Sequence, residues 1–237
     1  MIQERFIEYQ HEGKTLEGFF AFDDTNANPR PGILVSHPWA GRGKLECHKA
    51  RELAKLGYAG FALDLYGKGV LGSSLEENGQ LMKPLIENRA LLQARMTIAL
   101  ETLQKQAEVD ANQLAAMGFC FGGLCVLDLA RIGTELKGVV SFHGLFLPPG
   151  NTTGTKIKAK ILALHGNDDP MVPPEQVAGL EKELTEAGAD WQIHVYGNTV
   201  HAFTNPAAND AGFGTVYNQN ADRRSWQALI NFLEEIF

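Results

Sequence analysis

The chain has 237 residues, 44% of them hydrophobic and 21% charged, with a formal net charge of −7. That length and near-average composition allow a substantial core and exclude disorder, collagen and coiled coil. No run of about 18 apolar residues is present to span a membrane, and net acidity argues against general nucleic-acid binding, which needs a basic face. The opening Met1-Ile2-Gln3-Glu4-Arg5 does not read as a signal peptide. Cys47, Cys120 and Cys125 cannot all pair among themselves, so free thiols in a reducing cytoplasm are expected.

Gly32 to Ser36 reads as a buried strand entered from Pro31. Leu45 to Leu56 reads as a helix stopped by Gly57. Gly60 to Leu65 is a second strand. Leu81, Leu85, Leu92, Met96, Ala99 and Leu103 keep a helical spacing, which predicts one long helix over Leu81 to Gln106. Gln113 to Phe119 is a third strand, followed by a helix over Gly122 to Ile132. Lys137 to His143 and Lys160 to His165 are further strands, Pro174 to Ala187 a helix, Asp190 to Tyr196 a strand and Asp222 to Phe237 a closing helix. Asp23 to Pro31 and Pro148 to Thr155, rich in Asn, Pro, Gly and Thr, are surface loops. Continuous apolar strands alternating with helices imply parallel pairing with right-handed crossovers. The expected fold is α/β, a single domain over residues 1–237 with a mostly parallel central sheet flanked by helices. In such sheets the site lies beyond the carboxyl ends of the strands.

Three strand ends carry chemistry in order. Gly118-Phe119-Cys120-Phe121-Gly122-Gly123 is a Gly-x-nucleophile-x-Gly pattern with Cys as nucleophile. The nucleophile sits on a strained strand-to-helix turn, and the flanking glycines leave room for close backbone packing. The N–H of Phe121 then points at a developing oxyanion, and the helix N-terminus favours a thiolate. His165-Gly166-Asn167-Asp168-Asp169-Pro170 places carboxylates on a later strand-end turn, where a histidine is oriented. Gly197 to Phe203 places His201 after the last strand. Nucleophile, acid, histidine is the chain order of α/β hydrolases.

These segments, together with Leu63-Asp64-Leu65-Tyr66, resemble the dienelactone hydrolase family from about Ile33 to the C-terminus. The resemblance implies Cys120 as nucleophile, His201 as base and Asp169, directly before the proline, as acid. It implies oxyanion donors in the N–H groups of Phe121 and Trp39. Two departures stand out. Pro38 lies where many members carry a glutamate, and Asn205 where dienelactone-specific members carry an arginine. Both put dienelactone itself in doubt as substrate and leave the hydrolytic machinery intact.

His37, Tyr66 and Phe203 are candidate pocket residues; each also reads as a packed or backbone-bonded side chain. His143 and His165 read as hydrogen-bonded core histidines, Cys125 and Cys47 as structural, Asp64 as the anchor of a turn, and Arg89 and Arg95 as a solvated helix face. Cys-x-x-Cys and His-x-x-x-His spacings are both lacking, so a metal is not expected. The expected activity is cleavage of a small ester or lactone through a thioester, with no cofactor. A thioesterase or carboxylesterase on other substrates, and a non-catalytic binding module on the same fold, are the alternatives. Oligomeric state is not readable.

Overall fold

The computed structural model describes residues 1–25 and 27–237; Asn26, inside the first expected loop, lies outside the described residues. Contacts divide the chain into two compact units, residues 1–117 and 118–237.

The first unit opens with a hairpin that the alternating polar residues of its sequence had hidden. Strands β1 (Ile2–His11) and β2 (Lys14–Asp23) pair antiparallel, from Ile2 opposite Asp23 to His11 opposite Lys14. Glu12 (φ 49°) and Gly13 (φ 77°) form the turn, both in the left-handed region that two-residue hairpin turns demand. β3 (Arg30–Ser36) and β4 (Ala59–Ala62) pair parallel, and β2 adds antiparallel to β4. The order is β1-β2-β4-β3-β5, where β5 (Val109–Phe119) runs on into the second unit. Phe20, Phe61, Ile33, Leu34 and Leu63 are completely buried in this unit's core. Helix α1 (Lys44–Lys55) lies directly on β4: a Cβ at Gly60 would come 2.5 Å from the carbonyl oxygen of Ala50. α1 stops at Leu56, with Gly57 at φ 94°, as expected of a C-terminal glycine.

The single long helix expected over Leu81 to Gln106 is two. Helix α2 (Leu75–Glu87) ends at Asn88, whose backbone (φ −123°, ψ 82°) leaves the helical region. The Asn88 side chain then accepts from Leu91 N at 3.0 Å and starts α3 (Arg89–Gln104). An N-cap inside an unbroken apolar period costs the helix its continuity. Arg89 is buried and Arg95 half-buried, contrary to a solvated face; Arg95 Nη1 donates to Leu65 O at 2.5 Å.

The second unit carries parallel strands and helices in the order α4 (Phe121–Arg131), β6 (Gly138–Phe142), β7 (Lys160–Gly166), α5 (Pro174–Glu186), β8 (Trp191–Tyr196) and α6 (Gln219–Ile236), with a loop joining β6 to β7. β6, β7 and β8 pair in parallel in that order. The two-residue strands β9 (Asn209–Asp210) and β10 (Thr215–Val216) form a small antiparallel clip. α4 is buried along its whole length and packs on β6. Its Arg131 is a fully buried cation. Nε and Nη2 bind the two oxygens of Glu183 at 2.8 Å each, and Nη1 reaches Asp128 and the carbonyl of Leu147 at 3.2 Å each. α6 covers β6, where Gly138 leaves room for the Phe232 ring. The fold class is the expected one: α/β, mostly parallel strands flanked by helices.

Candidate active site

Cys120 is the hinge between β5 and α4. It holds φ 55° and ψ −119°, a conformation that costs a non-glycine residue about 1–3 kcal/mol and persists only where the surroundings enforce it. Those surroundings are identifiable. Cys120 N donates to Phe142 O at 3.0 Å, and Cys120 O accepts from Gly123 N at 2.9 Å. A Cβ at Gly118 would lie 2.1 Å from Gly122 O, and one at Gly123 would lie 2.6 Å from Gly144 Cα. The turn is therefore closed to larger residues on both sides of the sulfur, the steric reason inferred from the sequence pattern. Phe121 begins α4, so its backbone N–H belongs to the positive end of that helix.

The turn after β7 delivers a carboxylate. Asp169 N donates to Gly166 O at 3.1 Å, and Asp169 Oδ1 accepts from Met171 N at 2.9 Å. Oδ2 remains for His201, whose Nδ1 lies 2.7 Å away. Neighbouring Asp168 points elsewhere, accepting from Asn167 Nδ2 at 2.8 Å. The pairing with histidine falls on Asp169 alone of the two.

His201 sits in the loop after β8, between the left-handed residues Asn198 and Ala202 (φ 54° and 57°). The β9–β10 clip grips its backbone: His201 N donates to Gly214 O at 3.0 Å, and His201 O accepts from Val216 N at 3.2 Å. Its side chain is 2% exposed and that of Asp169 fully buried. Nε2 is buried without a partner at full hydrogen-bond geometry, but Cys120 acts on the ring. Burial pushes the imidazole toward neutrality. The charge interaction with Cys120, the bond to Asp169 and the interaction of the ring with the Cys120 sulfur outweigh it, raising the pKa to about 10. Cys120 and Asp169 thus together favour the protonated form of the ring.

Two further histidines flank this group. His143, at the end of β6, is buried; its Nε2 lies 2.8 Å from Thr204 Oγ1, and its ring meets that of His201 edge-on at 5.1 Å. His165 is buried with its ring 5.6 Å from Phe146. Burial and the charge of His201 push His143 well below the usual histidine value. Burial likewise lowers His165, with Asp169 opposing. Phe203 is fully buried, 5.0 Å from the His143 ring and 5.6 Å from Tyr196. Sequence reasoning read His143 as a core residue and passed over Thr204; the available signal was His143's place at a strand end, three residues after His201 being where its partner stands.

His37, Trp39 and Tyr66 belong to the first unit and form a cluster there. Tyr66 OH donates to Trp39 O at 3.0 Å, and the His37 and Tyr66 rings lie 4.8 Å apart. His37 is fully buried, its Nδ1 2.7 Å from Pro38 O, and its Nε2 accepts from Leu65 N at 3.2 Å. Burial holds His37 below the usual histidine value. Asp64 anchors the turn as expected, accepting from Tyr66 N at 2.8 Å and Gly67 N at 3.0 Å. Cys125 is buried and Cys47 half-buried beside Arg42. Among the described residues, no group of three or more His, Cys, Asp and Glu side chains is arranged to hold a metal ion, and no helix is long and apolar enough to cross a membrane.

The family model described as "Dienelactone hydrolase family" matches residues 16–237. Among solved structures, a protein named m3DLH is 38% identical with a TM-score of 0.95, the match covering 100% of this chain and 99% of that one. A dienelactone hydrolase-like promiscuous phosphotriesterase from metagenomic libraries is 34% identical with a TM-score of 0.93, over 100% and 99% of the two chains. A putative carboxymethylenebutenolidase of Yersinia pestis is 25% identical over 235 residues, 94% of this chain and 85% of that protein.

Proposed function

This chain belongs to the dienelactone hydrolase family, and on that premise we propose that it hydrolyses small esters or lactones with Cys120 as nucleophile, His201 as acid and base, and Asp169 as the group that orients His201. The observation that carries the reading is the buried His201, bound at Nδ1 to Asp169 at 2.7 Å, beside the strained turn that holds Cys120 at φ 55°.

His201, oriented by Asp169, takes the thiol proton of Cys120. The Cys120 thiolate attacks the ester carbonyl, and the developing oxyanion is stabilised by the N–H of Phe121 at the α4 terminus. The tetrahedral intermediate collapses to a thioester; the alkoxide leaves with the proton from His201 Nε2. Neutral His201 then takes a proton from water, the hydroxide attacks the thioester, and collapse returns the Cys120 thiolate and a carboxylic acid. A thiolate leaves a tetrahedral intermediate more readily than an amine, so unstrained amides are poor substrates. Asn205 uses its side chain to accept from Ala207 N at 3.0 Å, so it supplies no cation for a substrate carboxylate.

The 34% identical phosphotriesterase supports a second substrate class for the same thiolate, activated phosphotriesters. A panel of p-nitrophenyl esters, enol lactones and an aryl phosphotriester, run on the wild type and Cys120→Ala, tests both. Thiol-dependent turnover and an acyl adduct on Cys120 in acid-quenched intact mass are expected. Turnover that survives Cys120→Ala, or none with any ester or lactone, would overturn the reading. Binding without turnover would point to the non-catalytic alternative.

A further inference from the structure

His143 is a buried titratable group in ring contact with His201 that the mechanism above leaves unused, and its backbone, its Nε2 and its ring faces are each held. Its backbone sits at φ 36°, a left-handed conformation unusual for a side chain of this size. His143 N donates to Leu164 O at 2.8 Å, fixing the residue to β7. Nε2 is tethered to Thr204 Oγ1 at 2.8 Å. The ring is wedged among Phe203 at 5.0 Å, Phe119 at 6.1 Å and His201 at 5.1 Å, the His201 contact being T-shaped at 66°.

Among the described residues, His201 meets full hydrogen-bond geometry through Nδ1, to Asp169, and its Nε2 does not. One hydrogen bond leaves an imidazole free to rotate about its side-chain torsions, and a displacement of about 1 Å at a reacting atom costs up to roughly 100-fold in rate. An edge-on ring at 5.1 Å closes that freedom from the side. We propose that His143, tethered by Thr204, is a positioning residue that fixes the ring plane of His201 against the Asp169–Cys120 line. The inference rests on the catalytic reading of His201. The groups bearing on the two rings are consistent with it. Phe119, Phe203 and Thr204 are uncharged; Asp169 and Cys120 act on His201; His165, pushed down by burial and by the charge of His201, adds no second cation. His143 is kept neutral by the same causes, so it supplies a wall without competing for the proton.

Thr204→Val tests this, since it removes the tether and keeps the shape. The readouts are kcat and KM on a p-nitrophenyl ester and the His201 midpoint from imidazole ¹⁵N shifts. Loosening His201 weakens its bonds to Asp169 and Cys120, so the midpoint falls, by about one pH unit. We expect kcat to drop about tenfold with KM unchanged. His143→Asn, whose short amide tolerates positive φ and removes the wall, has a larger effect on both readouts, and the double variant is no worse than His143→Asn. A merely structural role would lower thermal stability and leave the ¹⁵N midpoint in place. An unchanged or raised midpoint in a folded Thr204→Val protein overturns the inference. The ¹⁵N titration needs no turnover, so failure of the hydrolase reading, seen as an inactive wild type, is distinguishable from failure of this one.

Discussion

Gly118 and Gly122 approach so closely that a Cβ on the first would lie 2.1 Å from the carbonyl oxygen of the second. The contact is with backbone at the head of α4, so neither partner can swing aside. Gly118→Ala is expected to push the helix start away from Cys120. The cost is about 2–4 kcal/mol, and turnover should fall by at least about 100-fold, because the Phe121 N–H moves with the helix. A thermal melt and steady-state kinetics check both; a variant with wild-type kcat would show that the turn has slack.

Asp168 and Asp169 are adjacent carboxylates with opposite expectations. Asp169→Asn keeps the shape but favours the wrong tautomer of His201, and kcat should fall by about 10⁴-fold. Asp168→Asn should stay within about twofold, since that residue is exposed and bonds its neighbour Asn167. Equal losses in the two variants would contradict the assignment of Asp169.

Acid should destabilise the fold through histidines outside the proposed chemistry. His37, His143 and His165 are each held by burial below the ordinary histidine value of about 6.5. The unfolded chain therefore takes up protons first as pH drops below that value. Their contribution is complete above about pH 6.5 and declines below it, by at most about 1.4 kcal/mol per histidine per pH unit. His201 has the opposite sign: raised to about 10, it stabilises fully below 6.5 and loses that contribution as pH rises through about 10. Denaturant midpoints across pH 4 to 10 should peak near pH 6.5 and fall to either side. An unchanged midpoint from pH 7 to 5 would contradict neutral burial of the three rings.

Arg131 should be costly to remove. Arg131→Met takes the guanidinium away from the buried carboxylate of Asp128, from Glu183 and from the carbonyl of Leu147. Breaking a buried pair in this way costs about 3–5 kcal/mol. Glu183→Gln, at a partly exposed partner, should cost less. Chemical denaturation of the two variants gives the comparison.

The elements legible in the sequence were those with an uninterrupted period and a stop signal. α1 ends where Gly57 is, and α4, α5, β6, β7 and β8 fall within three residues of their expected bounds. β1 and β2 were not, because the exposed edge strand β1 carries Gln, Glu and Arg among its apolar residues, and its turn uses Glu12-Gly13 in place of a stronger Asn-Gly signal. The break at Asn88 was masked by apolar residues that keep phase across it, although the capping side chain was in plain view. At the candidate site the elbow and the histidine were readable because steric need restricts their neighbours. The contact of His143 with His201 was not, since it depends on how β6 and the loop after β8 converge in space and leaves no local pattern.

The clip formed by β9 and β10 takes hold of the His201 backbone from both sides, through Gly214 and Val216. The stretch from Asn205 to Phe213 is therefore an excursion whose two ends are moored to the same residue. Changes outside the β9–β10 pairing leave the grip on the His201 backbone in place. A laboratory seeking new substrate ranges from this scaffold has a place to randomise in the residues of that stretch outside β9, provided Phe203, Thr204, Asn209, Asp210 and Gly214 are left untouched.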